Sequence, residues 1–476
     1  MTWRHGRCLP YGEGITFWAL GEIVKAEAGI LESDDRGAAK AKLGETVADL
    51  FPDADERAWL DARLAPLVGA EGDGGGGSRE ESFTAWRRFL EAMAARRPCV
   101  LVVEDLHWAD AALLEFLEHL LDWSAPVPLL LLCTARPELF ERQPSWGGGK
   151  RNATTISLSP LSRDEAARLL QLLLERTLLP AETQAVLLDR AGGNPLNAEQ
   201  FARMLVERGE VEGLAFPESV QALVAARIDT LRPELKALLH DAAVVGRVFW
   251  SGAVASVGGR RRDDVRRDLN ELVRREFVRP VRVSSVEGED ELSFWHVVVR
   301  DVAYQQIPRS PRAEKHVAAA RWVEQTSEDR LADRAEILVH HYVEAVELAR
   351  AAGEELDVEK SLVRALLLAG ERAAQLDTEA AERHFRRALE LARDERTRAR
   401  VLAELAPVLG ERGDVSEAIE AYEEAIAVLR TSIPPAAAVT MNRLALMRWT
   451  QGEVSRTSLS SRRGLAACPS CGGRSA

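Results

Sequence analysis

The sequence predicts an α/β core built on a parallel sheet, followed by helical segments that end in a helical repeat. Three observations carry this reading. Two apolar runs, Val100–Val103 and the stretch at 128–136, lack polar alternation and flank a helical segment, the pattern of a parallel sheet buried on both faces. From Ser162 onward the periodicity is almost wholly helical, except for a β-rich patch from Phe277 to Phe294. In the last third, Ala381-x3-Phe385-x2-Ala388 recurs as Ala418-x3-Tyr422-x2-Ala425 about 37 residues later.

Size and composition bound the answer. A chain of 476 residues exceeds one core and implies roughly three domains. The 46% hydrophobic content is enough to fill them, and no run approaches the roughly 20 apolar residues of a membrane span. The first residues do not form a signal-peptide core, so a cytoplasmic protein is expected. A net charge of -13 argues against a broad nucleic-acid surface. Cys8, Cys99, Cys133, Cys468 and Cys471 are scattered. Cys99 and Cys133 read as small core residues, and Cys468-x2-Cys471 lacks the second pair that a zinc site needs.

Taken in order, residues 1–25 read as a strand, a turn and a helix, and 69–78 as a glycine-rich surface loop. From Glu80 to Ala95, Phe83, Trp86, Phe89, Leu90 and Met93 share one helical face, and Pro98 precedes the first apolar strand. A helix at 111–123 separates it from the second strand, and Leu158 is expected to close another short strand. Ser162 and Glu165 form a capping-box pattern at the start of a helical unit reaching about Gly213. Phe216 to Glu324 gives three helices and a β-hairpin, the winged-helix pattern. In the repeat, small residues let helices approach and the aromatic fills the gap, as in tetratricopeptide repeats of about 34 residues. A third copy decays at Thr457, Ser461 and Gly464, and a frayed tail is expected from Ser458.

The chemistry concentrates where Val103 runs into Glu104 and Asp105. Acids at the carboxyl edge of an open α/β sheet suit Mg²⁺, one carboxylate holding the ion and the other orienting an attacking water. The plainer alternative is a pair of solvated acids before a helix capped by Asp110. After the second strand, Thr134 suits a phosphate sensor, and Arg136 either reaches a phosphate or forms a surface ion pair. Gly192-Gly193-Asn194-Pro195 reads either as a helix stop and start or as a rigid turn whose proline packs on adenine. His107, Trp108, His296 and His316 do not converge at metal-ligand spacing and read as packed or solvated. The segment 263–275 mixes arginines with acids, unlike a dedicated DNA-reading helix, so direct DNA binding is not expected.

Together these motifs resemble the STAND class of AAA-like signal-transduction ATPases. Val100–Asp110 is similar to their Walker B segment, Thr134–Glu138 to sensor 1, and Gly193-Asn194-Pro195 to their Gly-x-Pro turn. The stretch 7–14 is similar to the segment after their P-loop helix, and 294–304 to the end of their winged-helix region. The nearest form is the bacterial group that joins class III adenylate/guanylate cyclase domains to such an ATPase and to tetratricopeptide repeats. The resemblance implies ATP and Mg²⁺ as cofactors, with Glu104 and Asp105 catalytic and metal-binding, and Thr134, Arg136, Gly193 and Pro195 at the nucleotide. It implies a partial ATPase core at 1–160, a helical lid at 161–213, a winged-helix-like domain at 214–325, repeats at 326–457 and a tail at 458–476. It also implies a protein partner for the repeats, no membrane, and a cyclase domain in a full-length protein.

One part of the pattern is missing. A P-loop needs Gly-x4-Gly-Lys-Ser/Thr, in which backbone N–H groups and the lysine grip the phosphates. Gly74–Gly77 is followed by Ser78-Arg79, and Gly147–Gly149-Lys150 by Arg151, with Pro144 where the first glycine belongs. In the family the P-loop precedes the segment that begins here at Arg7. The expectation is therefore an N-terminally truncated fragment with an incomplete parallel sheet, impaired ATP hydrolysis and an exposed apolar edge. The alternative function is a non-enzymatic interaction scaffold on a degenerate ATPase core.

Overall fold

The computed structural model describes residues 1–9, 17–70, 78–174, 180–208, 219–282, 284–326 and 328–450. The expected third repeat copy, the tail with Cys468 and Cys471, and the glycines at 74–77 lie outside them, as does most of the 7–14 motif. The chain divides into two compact units. One comprises residues 1–153, 323–346 and 355–476, and the other residues 154–322 with 347–354.

The first unit begins with β1 (Thr2–Arg7), α1 (Trp18–Ala28), α2 (Arg36–Leu50), α3 (Ala54–Leu64) and α4 (Arg79–Arg96). It continues through β2 (Cys99–Glu104), α5 (Ala111–Trp123), β3 (Leu129–Cys133) and the short α6 (Glu138–Arg142). The strands form a parallel sheet in the order β1-β2-β3. The expected face of α4 is buried, and its aromatics form the centre of the core. Phe17 meets Trp86 edge-on at 4.7 Å, and Phe83 meets Phe116 at 5.4 Å. The Trp86 ring N–H donates to the Arg63 carbonyl at 2.8 Å, so the indole is buried without an unpaired donor. Asp110 caps α5 through the Leu113 N–H at 2.7 Å, as its position predicts.

The sheet corrects the expectation of two buried faces. Leu101, Val103, Leu129, Leu131 and Cys133 pack into the core beneath the helices. The register places Trp3, Val100 and Leu130 in one row, and His5, Val102 and Leu132 in the next. On that other face the central valines are buried, but Trp3, Leu130 and Leu132 are 49%, 57% and 46% exposed. Only the central strand is therefore shielded on both sides, because the described helices of this unit pack on one face. Among the described residues Leu158 belongs to no sheet, and it and Ile156 stand exposed.

The second unit carries α7 (Arg163–Leu174), α8 (Ala181–Ala191), α9 (Pro195–Arg208), α10 (Val220–Asp229) and α11 (Pro233–Val245). The capping box forms: the Ser162 N–H donates to Glu165 at 2.8 Å, and the Glu165 N–H to the Ser162 hydroxyl at 3.3 Å. Next come β4 (Val248–Trp250), α12 (Ser251–Gly258), α13 (Arg262–Arg274), β5 (Val278–Pro280) and β6 (Glu291–Phe294). These three strands form an antiparallel sheet in the order β4-β6-β5. α14 (Val297–Gln305) and α15 (Arg309–Thr326) follow.

After α16 (Ala335–Ala352), the helical hairpins comprise α17 (Glu359–Ala373), α18 (Thr378–Leu391), α19 (Glu395–Arg412), α20 (Val415–Ser432) and α21 (Pro434–Thr450). The repeat positions behave as their residue types require. Ala381, Ala388, Ala418 and Ala425 are fully buried, and so, nearly, are Phe385 and Tyr422. Gly370 on α17 receives the Phe385 ring; a Cβ there would lie 2.4 Å from it. The end of α17 also reaches the α/β part of this unit, where Leu376 joins the core cluster beneath the sheet.

α1 approaches β1 unusually closely. A Cβ on Gly6 would lie 2.0 Å from the Ala19 carbonyl oxygen, and one on Gly21 would lie 2.7 Å from that of Leu67. Gly6→Ala should therefore lower the unfolding free energy by about 2 kcal/mol or more, as overpacked sites do. Urea unfolding of the variant against Gly44→Ala, where nothing lies within 4 Å, checks this. The control should be neutral or stabilise by up to about 1 kcal/mol.

Candidate functional site

The site forms at the carboxyl edge of the parallel sheet, where ligands of such sheets bind. The ladder between β1 and β2 runs from Thr2 opposite Cys99 to Arg7 opposite Glu104. Strand alternation puts Arg7 and Glu104 on the same face as Trp3 and Val100, the uncovered one. The Arg7 guanidinium donates to one Glu104 carboxylate oxygen from Nη2 at 2.5 Å and from Nε at 2.9 Å. The Cys8 N–H donates to the Glu104 carbonyl at 3.0 Å, extending the ladder one residue. The Arg7 N–H donates to the Glu22 carboxylate of α1 at 2.7 Å, so the arginine is held by its backbone and its side chain.

Asp105 leaves the strand in the left-handed region, at φ 58° and ψ 39°. Among described non-glycine residues only Phe17, Asp105 and Glu276 have positive φ. Such a conformation beyond glycine costs energy and concentrates at functional sites, and Asp tolerates it better than most residues. The reversal brings the Asp105 N–H to the Thr134 hydroxyl at 3.2 Å and the Leu106 N–H to the Thr134 carbonyl at 2.8 Å. Glu104, Asp105 and Thr134 thus meet at one edge. Arg136 follows Thr134 and is exposed.

His107 lies in the turn after Asp105, buried, with neither ring nitrogen hydrogen-bonded. Burial, reinforced by the Arg136 charge, holds its pKa below the usual histidine value. Arg142 secures this turn by donating to the His107 carbonyl at 2.7 Å. A shallow hollow lined by Cys8, Trp18, Trp108 and Asp110 adjoins it. Burial pushes the Cys133 thiol up to about 12 and the Cys8 thiol higher still, so both are inert packing groups.

Gly193 and Pro195 sit in the second unit. Gly192 and Gly193 both have positive φ, ending α8, and Asn194 accepts the Leu196 N–H at 2.9 Å to start α9. A Cβ on Gly193 would lie 2.5 Å from the Leu161 carbonyl oxygen, so this glycine permits a close backbone contact. His296 pairs with Glu199 at 3.1 Å, and His316 with the Tyr304 hydroxyl at 2.8 Å. Three arginines in and just before α13 pair with acids. Arg260 meets Asp268 at 2.5 Å, Arg262 meets Glu289 at 2.9 Å, and Arg266 meets Asp290 at 2.8 Å.

Reading the sequence alone gave Arg7 no role. The available signal was its place as the last residue of an apolar-flanked strand, but only the ladder register shows which acid it meets. Glu22 gave no signal, since nothing in the spacing of α1 sets it apart from Glu27 on the same helix.

Residues 2–132 match the family model of the AAA ATPase domain. An uncharacterized protein of Rhizobium meliloti (strain 1021) is 25% identical over 397 residues, covering 74% of this chain. The chain spans about a third of that relative's length, at 34%. A solved STAND protein with a tetratricopeptide repeat sensor from Pyrococcus horikoshii shares 15% identity at a TM-score of 0.39, covering 98% of this chain and 75% of that one. Aspartyl phosphate phosphatase F from Bacillus subtilis shares 14% at 0.27, covering 66% and 76% respectively.

Two outcomes follow from this geometry. Asp105→Asn should keep the fold, whereas Asp105→Val should cost about 1–2 kcal/mol, because a β-branched residue resists the left-handed region. Thermal unfolding of the two variants measures the difference. Packing around Glu22 pushes its carboxyl from 4.5 up to about 7, against the pull of Arg7. Between these values the folded state holds more protons than the unfolded one, so this group's stabilisation is present at low pH and is lost as pH rises through about 7. Glu22→Gln should flatten the stability profile between pH 5 and 8 by on the order of 1 kcal/mol. Urea unfolding across that range checks it.

Proposed function

We propose that this chain carries the magnesium side of a nucleotide switch, whose state is passed to helical repeats that dock a protein partner. The observation that supports it most is the strand end itself: Asp105 in a strained backbone conformation, held against Thr134 at the carboxyl edge of a parallel sheet. A carboxylate and a hydroxyl on residues brought to one strand edge suit a hydrated Mg²⁺. Glu104, paired with Arg7, is placed to orient a group rather than to ligate the ion. Under the same reading Arg136 faces the phosphates, Gly193 and Pro195 form the adenine turn, and ATP is the nucleotide.

The phosphate side does not fit equally well. No Gly-x4-Gly-Lys-Ser/Thr stands in the sequence, so no hydrolytic step is derived from these residues. The acidic end and the exposed Trp3, Leu130 and Leu132 share one face of the sheet. An element that covers that face would also close the site, whether it comes from a cyclase-linked full-length chain or from elsewhere. The antiparallel sheet with α10–α13 serves as a winged-helix-like relay rather than a DNA reader, since Arg260, Arg262 and Arg266 are paired with neighbouring acids. No described helix is long and apolar enough to cross a membrane.

A second reading, a scaffold on a degenerate ATPase core, draws support from the Arg7–Glu104 pair, which already neutralises one acid of the site. A fluorescent ATP analogue separates the two. Magnesium-dependent binding that Asp105→Asn weakens about tenfold supports the switch, and silence supports the scaffold. ATP turnover abolished by Asp105→Asn would refute impaired hydrolysis. The uncovered face should also make the chain self-associate. Leu130→Glu with Leu132→Glu should shift gel-filtration elution toward the monomer, and a wild type that is already monodisperse would count against this.

A further inference from the structure

We propose that α1 and the turn after it couple the acidic strand end to the base of the helical repeats through a series of buried and half-buried polar contacts. The inference names how the proposed site would signal and in that sense rests on the preceding reading. The connection itself stands on geometry within the first unit.

The series begins at Glu104. Arg7 grips its carboxylate at 2.5 Å, and the Arg7 N–H is held by Glu22 on α1 at 2.7 Å. One turn further along α1, Lys25 is buried against the Trp18 ring and pairs with Glu32 at 2.7 Å. Glu32 then reaches the segment before α16, where Arg334 donates to its carbonyl at 3.3 Å and lies 3.8 Å from its carboxylate. Arg334 is 2% exposed, and its neighbour Asp333 is 4% exposed. The Asp333 carboxylate occupies the space that a side chain on Gly69 would need, at 1.9 Å from a Cβ there. Gly69 has φ +75°, so the glycine both makes the turn and admits the acid.

The far end is an ion pair between Glu336 on α16 and Arg372 on α17, with Nη1 at 3.0 Å from each carboxylate oxygen. Both residues are buried, and Glu336, Asp333 and Glu32 all act on the Arg372 charge. α17 opens the hairpin array, and Leu376 just beyond it lies in the core beneath the sheet. Buried charges are costly to leave unpaired, so loss of one member forces its neighbours to rearrange rather than stand alone. Loss of the Arg7–Glu104 pair would loosen the end of β1, and with it the backbone N–H by which Glu22 holds α1 against that strand; α1 in turn carries Lys25 and hence Glu32 against Arg334. Connection alone is not coupling, and coupling must work in both directions.

Hydrogen exchange by mass spectrometry on the full chain provides the test. Arg7→Met should raise exchange in residues 328–336 and 359–373 about fivefold or more, with 395–432 unchanged. Arg372→Met should in turn raise exchange in 18–32. Arg7→Lys, which keeps the charge, should restore most of the protection at 359–373. Arg443→Met, which breaks an exposed pair with Glu404, should change only its own surroundings. If Arg372→Met unfolds the chain, the isosteric Glu336→Gln makes the same comparison. Changes confined to the mutated neighbourhood, or a uniform rise across the whole chain, would overturn the inference. Failure to bind any ATP analogue would defeat the switch reading, yet reciprocal exchange effects would still establish the coupling.

Discussion

Much of this architecture depends on one ion pair across a parallel ladder, Arg7 with Glu104. The register between β1 and β2 brings the last residue of one strand opposite the first acid of the next. A carboxylate at the end of an apolar strand must be solvated or matched, and Arg7 matches it. Arg7 in turn needs its own backbone fixed, which Glu22 does from α1. α1 can do so only because Gly6 and Gly21 let it lie against β1 and the turn at Leu67. A motif that looks like a mere connector is therefore the piece that orients the acidic edge.

The pair also divides labour within the site. Two adjacent acids are chemically alike on paper, but the fold separates them. Glu104 remains in the strand and is neutralised by a guanidinium. Asp105 reverses the backbone and turns to Thr134. The sheet that carries them is one-sided, with helices on one face and Trp3, Leu130 and Leu132 exposed on the other. Parallel sheets ordinarily have both faces covered, so the site and the exposed apolar surface pose the same question of what completes this side. On the covered side the helical repeats share a core with the α/β part through Leu376. The repeats are thus continuous with the α/β core rather than an appended module.

Local patterns were legible where the physics is local. The buried face of α4, the Asp110 cap, the Ser162–Glu165 capping box and the aromatic-small spacing of the repeats each depend on residues a few positions apart. The strand expected at Leu158 failed because pairing is not a local property: an apolar segment becomes a strand only when another strand satisfies its backbone. The expectation of a sheet buried on both faces failed for a related reason, since apolar runs report hydrophobicity but not which neighbours are present to cover them. Glu104 and Asp105 were legible as a pair because acids after an apolar run are unusual. Their different fates were not, because the partner of Glu104 is 97 residues away in sequence.

By itself the sequence determined most of the element types it marked, the acidic strand end, the lack of a Gly-x4-Gly-Lys-Ser/Thr motif and the aromatic-small repeat spacing, since each follows from short-range spacing or composition. The tertiary structure decided which acid pairs with Arg7, which face of the sheet lies open, and that Glu336 and Arg372 pair in the interior. Those outcomes depend on strand register and helix packing, which bring together residues that no spacing along the chain relates.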